Sequence, residues 1–535
     1  MKAKRIICMF LVVVLSFVTL LGCAPTEPTP PAVEYEIRLR TRMYSVKDEE
    51  RKKLDIIFTA DGESADWSLL TFESKNPEVA TVDENGVITG VSAGATTITV
   101  SIGEEKVTAN VTVSMRLRRV TLSASSLGLL QGQTATLTAI AYIGAQKDES
   151  AQITWSSSNS EIVSVESGTV TAVANGSATI TATYGEVKAS ATVTVASEAT
   201  AEKVNSFDEE VVNIFGRSYI VNNALHFDHA SNAIEVGVIG TSLVVNLTAS
   251  DISYMRVWVD DVELADRIKI TPATNKYTVA SGLEDAYHKI RIVKATEMQD
   301  AVWTVSSFEA DKFATVPEKS ALKIEFVGDS ISAGFGSLGP AGAGKTVDNS
   351  DSTRTYAYYT AQQLGVDYSV VAWSGICAKA YHWASNVNMN TLYGRTSWTN
   401  SAAYITDDEP DIIVLNLGTN EASYLSSEHG GPSYGSQFPA DYKDMLTTIR
   451  SKNPNAYVIC LYGMMGTNSV IHSGITTAVE QMDDDKIVYN PIFITANNSG
   501  AAGHPSAYAQ EGWATQLASY IKTLSIVKDY FDQLA

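Results

Sequence analysis

Lys323-Ile-Glu-Phe-Val-Gly-Asp-Ser-Ile-Ser-Ala-Gly-Phe-Gly336 opens as a short apolar run and breaks at Gly328-Asp329-Ser330 into a glycine-rich turn. The run reads as a buried strand and the turn as its exit. An open α/β sheet places its ligand just beyond the carboxyl end of such a strand. A hydroxyl there becomes a nucleophile when a base stands beside it. Gly-Asp-Ser is also an ordinary loop tripeptide, so Ser330 is at this point either a turn residue or a nucleophile.

Downstream, strand and helix patterns alternate. Tyr368-Ser-Val-Val-Ala372, Asp411-Ile-Ile-Val-Leu-Asn-Leu417, Ala456-Tyr-Val-Ile-Cys-Leu-Tyr462 and Lys486-Ile-Val-Tyr489 read as strands, with helices expected near 353–364, 440–451, 474–482 and 506–528. With 323–328 this makes five apolar strands separated by helices, the pattern of a parallel sheet covered on both faces. Residues 319–535 are therefore expected to form an α/β domain with a core of its own.

Upstream the chain is all-β. Ala233-Ile-Glu-Val-Gly-Val-Ile-Gly240, Ser242-Leu-Val-Val-Asn-Leu247, Met255-Arg-Val-Trp-Val-Asp260 and His288-Lys-Ile-Arg-Ile-Val-Lys294 alternate as strands do. Residues 205–318 run into the Ser330 strand without a flexible linker, which suits an accessory β-domain packed on the α/β domain. Further back, Phe72 to Val100 returns as Trp155 to Thr183: short strands rich in Val, Thr and Ile, punctuated by Gly and Asn. Two sandwiches are expected, at 35–115 and 116–197. They resemble group 2 bacterial immunoglobulin-like domains, whose Ser-Asn-Pro-x-Val-Ala-Thr-Val and Gly-x-Ala-Thr-Ile-Thr signatures stand nearly intact here, which implies a spacer or adhesive role.

A chain of 535 residues is too long for one core. Its formal charge of −21 disfavours nucleic acid and other polyanions as partners. Lys2, Lys4 and Arg5, the apolar run Ile6–Leu21 and Leu20-Leu21-Gly22-Cys23 read as a secretory signal over 1–22. Small residues before a cysteine resemble the bacterial lipoprotein box, which implies cleavage before Cys23 and its acylation at a membrane. Residues 23–34 then read as a proline-rich tether. With Cys8 removed and Cys23 lipidated, only Cys377 and Cys460 remain, too few for a disulfide scaffold. They are read either as a pair or as buried free thiols.

Ser330 needs a base, and His504 in Gly503-His-Pro-Ser506 lies in a loop before the last helix. There its near-neutral pKa suits a general base that later protonates a leaving alcohol; the plain alternative is a histidine that caps its loop. Acyl transfer also needs donors for a developing oxyanion. Trp373-Ser-Gly-Ile376 offers the Gly375 amide and Leu417-Gly-Thr-Asn420 the Asn420 carboxamide. With the Ser330 amide they make a three-donor hole, each donor worth on the order of 3 kcal/mol. No His/Asp cluster stands at metal-ligand spacing, and serine chemistry needs no cofactor.

These four blocks, in this order and each at a strand end or helix start, resemble the SGNH or GDSL hydrolases, whose four named residues fall here on Ser330, Gly375, Asn420 and His504. The stretch Leu283 to Glu297, running on into Ile324-Glu-Phe-Val-Gly-Asp-Ser-Ile-Ser332, is similar to carbohydrate esterase family 2, a jelly roll fused to an SGNH domain. That resemblance implies removal of acetyl groups from plant polysaccharides such as xylan and mannans. Two positions depart from the SGNH pattern. Ala501 stands where an aspartate usually orients the histidine, and losing that group from a serine triad costs about 10⁴-fold. The resemblance also implies a way out, because some relatives hold the imidazole with a main-chain carbonyl. The second departure is Glu421, where many relatives carry aspartate.

Trp373, Tyr381, Trp383, Tyr393 and Trp398 crowd the loop after the second strand, and Trp513 opens the last helix. They are read either as a platform for sugar rings or as core aromatics. His226, His229 and His288 read as surface or core histidines, and His382, His429 and His472 as non-catalytic. The resulting expectation is a lipid-anchored esterase acting on acetylated polysaccharide. Its rivals are an esterase of other acylated glycans or small esters, and a surface adhesion protein whose esterase-like domain is inert.

Overall fold

The computed structural model describes residues 33–534, apart from 145, 199–206, 208–209, 385, 405–408, 428–429 and 491–494. The expected signal peptide, Cys23 and nearly all of the tether lie outside the described residues, as do His429 and the first residues of the 205–318 segment.

The repeat seen in the sequence is a repeat of structure. In the first sandwich Gly94–Ile102 and Glu105–Ser114 pair as a hairpin. Ile98, Val100, Ala109, Val111 and Val113 are buried, while Thr108, Asn110 and Thr112 face solvent. The second sandwich pairs Gly176–Tyr184 with Val187–Ala196. In each, a five-residue strand, Met43–Lys47 or Ser126–Leu130, lies parallel to the second arm of the hairpin. The shared asparagine has one job in both: the Asn76 and Asn159 carboxamides accept the N–H two residues on, at 3.1 and 3.0 Å, the Asx turn that this side chain favours.

Residues 212–314 supply ten strands joined into one bent sheet. The two expected strands 233–240 and 242–247 are a single strand, Ala233–Ala249, which runs antiparallel to Lys276–Lys294. Register shifts between Gly240 and Ser242 and between Leu243 and Val244 bend it, as bulges do, so one strand imitates two.

The α/β domain follows. Its strands are β1 (Lys323–Gly328), β2 (Asp367–Ala372), β3 (Ile412–Asn416), β4 (Tyr457–Leu461) and β5 (Ile487–Tyr489). All are parallel, in the order β2-β1-β3-β4-β5. Its helices are α1 (Ser330–Ala333), α2 (Tyr356–Leu364), α3 (Met389–Leu392), α4 (Thr419–Leu425), α5 (Gly431–Lys452), α6 (Ser469–Met482), α7 (Ala507–Ile521) and α8 (Ser525–Leu534). Alternation explains why the strands carry apolar residues on both faces. Ile324, Phe326, Ile412 and Val414 share one apolar cluster with residues of α2 and α7, while Val327, Ile413 and Leu415 join residues of α5 and α6.

Several helices differ from expectation. Helix α5 starts nine residues before 440 and carries Pro439 inside it, with no side-chain cap to mark its start. Helix α6 begins at Ser469, where the Asn468 carboxamide accepts the N–H groups of Val470 and Ile471. The single helix expected over 506–528 is two, α7 and α8.

The β-domain and α/β domain share a core. Phe215, Ala230, Ala233, Trp258 and Val293 from the former lie in the same buried cluster as Ile324, Phe326 and Tyr358. Across this seam the Arg217 guanidinium forks onto Glu325 of β1, with both bonds at 3.1 Å. It also donates to the carbonyls of Tyr393 and Arg395. Removing one partner of such a buried pair costs about 3–5 kcal/mol.

Candidate active site

Strand β1 ends at Gly328, and the Asp329 carboxylate caps α1 by accepting the Ile331 N–H at 3.0 Å. Burial pushes Asp329 up to about 7, opposed by that N–H. The cap sets Ser330 at the first position of α1, with its hydroxyl turned to the loop before α7. There Ser330 Oγ lies 2.8 Å from His504 Nε2.

The other imidazole nitrogen decides the tautomer. His504 Nδ1 lies 3.1 Å from the Ala502 carbonyl oxygen, which can only accept, so Nδ1 carries the proton and Nε2 presents its lone pair to the serine. Ala502 holds this position with φ 51° and ψ 33°, a left-handed conformation costing an alanine on the order of 1–3 kcal/mol. Backbone bonds hold it there: Ala501 N–H to the Gly336 carbonyl (2.9 Å), Ala502 N–H to the Ala343 carbonyl (2.6 Å) and His504 N–H to the Ala501 carbonyl (3.1 Å). Burial draws His504 below the usual imidazole range, and the Ala502 carbonyl pulls part of the way back. The imidazole is thus neutral, and able to accept a proton, at neutral pH.

Ala501 shows why a carboxylate is not at hand. Its methyl is fully buried against a glycine wall: a Cβ on Gly339 would fall 2.6 Å from it, and one on Gly336 3.1 Å. A longer side chain pointing that way would meet the wall.

Gly375 follows β2 in a turn closed by the Ile376 N–H on the Trp373 carbonyl (3.2 Å). Its φ is +83°, and a Cβ would come within 2.7 Å of the Trp383 Cβ, so only glycine fits. Asn420 sits in the first turn of α4, and its Nδ2 donates to the Ile376 carbonyl at 2.9 Å and approaches Asp329 Oδ2 at 3.5 Å. The approach to Asp329 is at the outer limit of a hydrogen bond, so the second carboxamide hydrogen is only weakly engaged in this structure. All four candidates therefore gather at the carboxyl ends of β1, β2 and β3 and at the loop before α7, as an open α/β sheet dictates.

Comparison with known proteins matches this geometry segment by segment. Residues 326–525 match the GDSL-like Lipase/Acylhydrolase family, and 214–318 match the Carbohydrate esterase 2 N-terminal domain. Residues 117–195 match the Bacterial Ig-like domain (group 2), and 69–115 the Bacterial Ig-like domain. The chain carries a GDSL-like hydrolase domain behind a carbohydrate esterase 2 domain. Over 302 residues it is 26% identical to the cellulase/esterase CelE of Acetivibrio thermocellus, covering 54% of this chain and 36% of that protein. It is also 26% identical to the acetylxylan esterase / glucomannan deacetylase of Cellvibrio japonicus, over 53% of this chain and 81% of that one. The chain thus spans about a third of the length of the former and four fifths of the latter. A solved family two carbohydrate esterase from Clostridium thermocellum, in complex with cellohexaose, superposes with a TM-score of 0.54 at 24% identity, over 58% of this chain and 98% of that one. That likeness extends to the fold.

Within the GDSL-like domain, Glu421 does not disturb the Asn420 loop. Its Oε1 accepts the Ala378 N–H at 2.6 Å, tying α4 to the segment after Gly375. Burial pushes its carboxyl up to about 7. Cys377 and Cys460 are free and buried.

The aromatic residues divide. Trp383 and Tyr381 are 70% and 54% exposed beside the Gly375 loop, with the His382 ring 4.7 Å from Trp383. Trp398 is half-buried and meets buried Trp373 edge-on at 4.8 Å. Trp513 corrects the expectation of a sugar platform: it is 5% exposed and packs in one apolar cluster with Ala514, Leu517 and Ile521. Tyr393 is likewise buried, under the Arg217 guanidinium. The other described histidines bond elsewhere: His226 to Thr304, His229 to the Thr396 carbonyl, His288 to Asp260, His382 to Ser423 and His472 to Tyr489. Sequence reading allowed for a main-chain carbonyl on His504 without saying which residue supplies it, and missed Phe335, whose ring lies 4.3 Å from that of His504.

Proposed function

We propose that this chain is a carboxylic ester hydrolase that removes O-acetyl groups from polysaccharides of the xylan or mannan type by serine acyl-enzyme chemistry. The observation that carries the reading is His504, bonded through Nε2 to the Ser330 hydroxyl and through Nδ1 to the Ala502 carbonyl. Ser330 Oγ attacks the acetyl carbonyl as its proton passes to His504 Nε2. The amides of Ser330 and Gly375 and the Asn420 carboxamide receive the oxyanion. As the tetrahedral carbon collapses, its bond to the sugar oxygen breaks and His504 returns the proton to that oxygen. Water, deprotonated by His504, then attacks the acetyl-serine, and acetate leaves as Ser330 regains its proton.

The substrate class rests on the names of the two relatives, a cellulase/esterase and an acetylxylan esterase / glucomannan deacetylase. Exposed Trp383 and Tyr381 offer ring faces to a glycan, with Trp398 and Trp373 behind them. Domain limits at 35–115, 116–197, 205–318 and 319–535, and an extracytoplasmic setting with Cys23 lipid-anchored to a bacterial membrane, complete the reading. The test is acetate release from acetylated xylan and glucomannan by the wild type, Ser330→Ala and His504→Ala. Each variant should lose about 10³-fold or more; wild-type rates in both would refute the mechanism.

A further inference from the structure

Three consecutive residues of the β-domain touch the loop that carries Gly375. The Gln299 carboxamide pairs with both backbone groups of Ser374: Ser374 N–H donates to Oε1 at 3.2 Å, and Nε2 donates to the Ser374 carbonyl at 3.1 Å. Met298 lies in the apolar cluster that holds Trp373 and Ile376, the residues on either side of Ser374 and Gly375. The Ser374 hydroxyl donates to Glu297 Oε2. The turn bearing these groups is itself held: Lys294 Nζ donates to the carbonyls of Thr296 (2.9 Å) and Glu297 (2.7 Å), and the Asp300 carboxylate accepts the Glu297 N–H (3.2 Å).

The same turn reaches the histidine side. Lys345 Nζ sits 3.3 Å from Glu297 Oε1 and 2.6 Å from Asp300 Oδ1. It lies over the Phe335 ring at 5.5 Å, and Phe335 packs on His504.

Gly375 has no side chain by which to be anchored, and its left-handed backbone is one that a free loop need not keep. Its carbonyl accepts the Ala384 N–H at 3.2 Å, but the peptide that carries its amide is shared with Ser374, so the amide's aim depends on how Ser374 is held. We propose that Gln299 and Glu297 are positioning residues for the esterase reaction, acting through Ser374 to hold the Gly375 amide where the oxyanion forms. The inference rests on the esterase reading above. On this view the β-domain completes the active site rather than serving as a carrier for it.

The test uses the full chain and p-nitrophenyl acetate, an ester too small to need glycan contacts. Gln299→Ala should lower kcat about 10- to 100-fold with KM within about twofold of wild type, while the circular dichroism spectrum is unchanged. Glu297→Ala and Ser374→Ala should each lower kcat, and the double variant should be no slower than the worse single one, because both remove the same bond. Gln299→Ala with wild-type kcat, or additive losses in the Glu297/Ser374 cycle, overturns the inference while the esterase reading stands if Ser330→Ala is inactive. Wild-type turnover by Ser330→Ala overturns both.

Discussion

The Ser330–His504 pair and the Gly375 loop sit at one end of the same sheet but are built by different means. The pair is set chiefly from within its own domain. Its serine is set by the Asp329 cap and its histidine by a strained turn whose backbone bonds end on Gly336, Ala343 and Ala501, all within the α/β domain. The loop is held from three sides: by Asn420 on the Ile376 carbonyl, by Glu421 on the Ala378 amide, and by Glu297 and Gln299 from the β-domain on Ser374. On the proposed reading the proton-handling pair is set chiefly within one domain, the β-domain reaching it only through Lys345 and Phe335, whereas the oxyanion donors are held from both. A fused accessory domain is what such a division requires. The shared apolar cluster and the Arg217–Glu325 fork provide the fixed seam that a bond spanning two domains needs if it is to hold an amide in place.

Substitutions can break each side separately. After the Ser330 and His504 variants, the largest expected effect is on the loop: Asn420→Ala should lower kcat about 10²–10³-fold on p-nitrophenyl acetate, with KM little changed. On the other side, Ala501→Asp tests whether a carboxylate would serve His504 better than a carbonyl does. Because the Ala501 methyl faces Gly336 and Gly339, the added group should destabilise the fold by roughly 1–3 kcal/mol. The melting temperature should fall and kcat should not rise; a faster, equally stable variant would show that the site lacks its best orienting group. The smallest effect belongs outside both. Trp383→Ala should raise KM about 2- to 10-fold on acetylated polysaccharide and leave p-nitrophenyl acetate turnover unchanged.

Much of this was legible in the sequence because the signals were periodic or chemical. The apolar strands of the α/β sheet and the alternating hairpins of the two sandwiches repeat at fixed spacing, and Ser330, Gly375, Asn420 and His504 carry side chains or turns with a recognisable task. What failed had other causes. A main-chain carbonyl has no letter, so the partner of His504 Nδ1 was invisible at Ala502. Counting aromatics does not say which way a ring faces; Trp513, Ala514, Leu517 and Ile521 recur at helical spacing and mark a buried stripe, a signal present but outweighed by the appeal of a tryptophan near the site. Helices α3 and α4 are too short to show a period, and α5 began without a cap. The Glu297–Gln299 turn ends a strand in another domain, and only the folded chain brings it to Gly375.

The central claim is that a carbonyl, rather than a carboxylate, sets the proton on His504 and leaves Nε2 free to take another from Ser330. The direct measurement is the ¹⁵N shifts of His504 in histidine-labelled protein across pH, assigned with His504→Gln, beside the pH dependence of kcat/KM. Burial lowers the His504 pKa, so the neutral base should persist below the ordinary value of about 6.5 and activity should fall only as pH drops through the lowered value. The account predicts a protonated Nδ1 and a bare Nε2 above that point, with the spectroscopic and kinetic titrations coinciding. A neutral His504 carrying its proton on Nε2, or an activity limb unrelated to its titration, would contradict it.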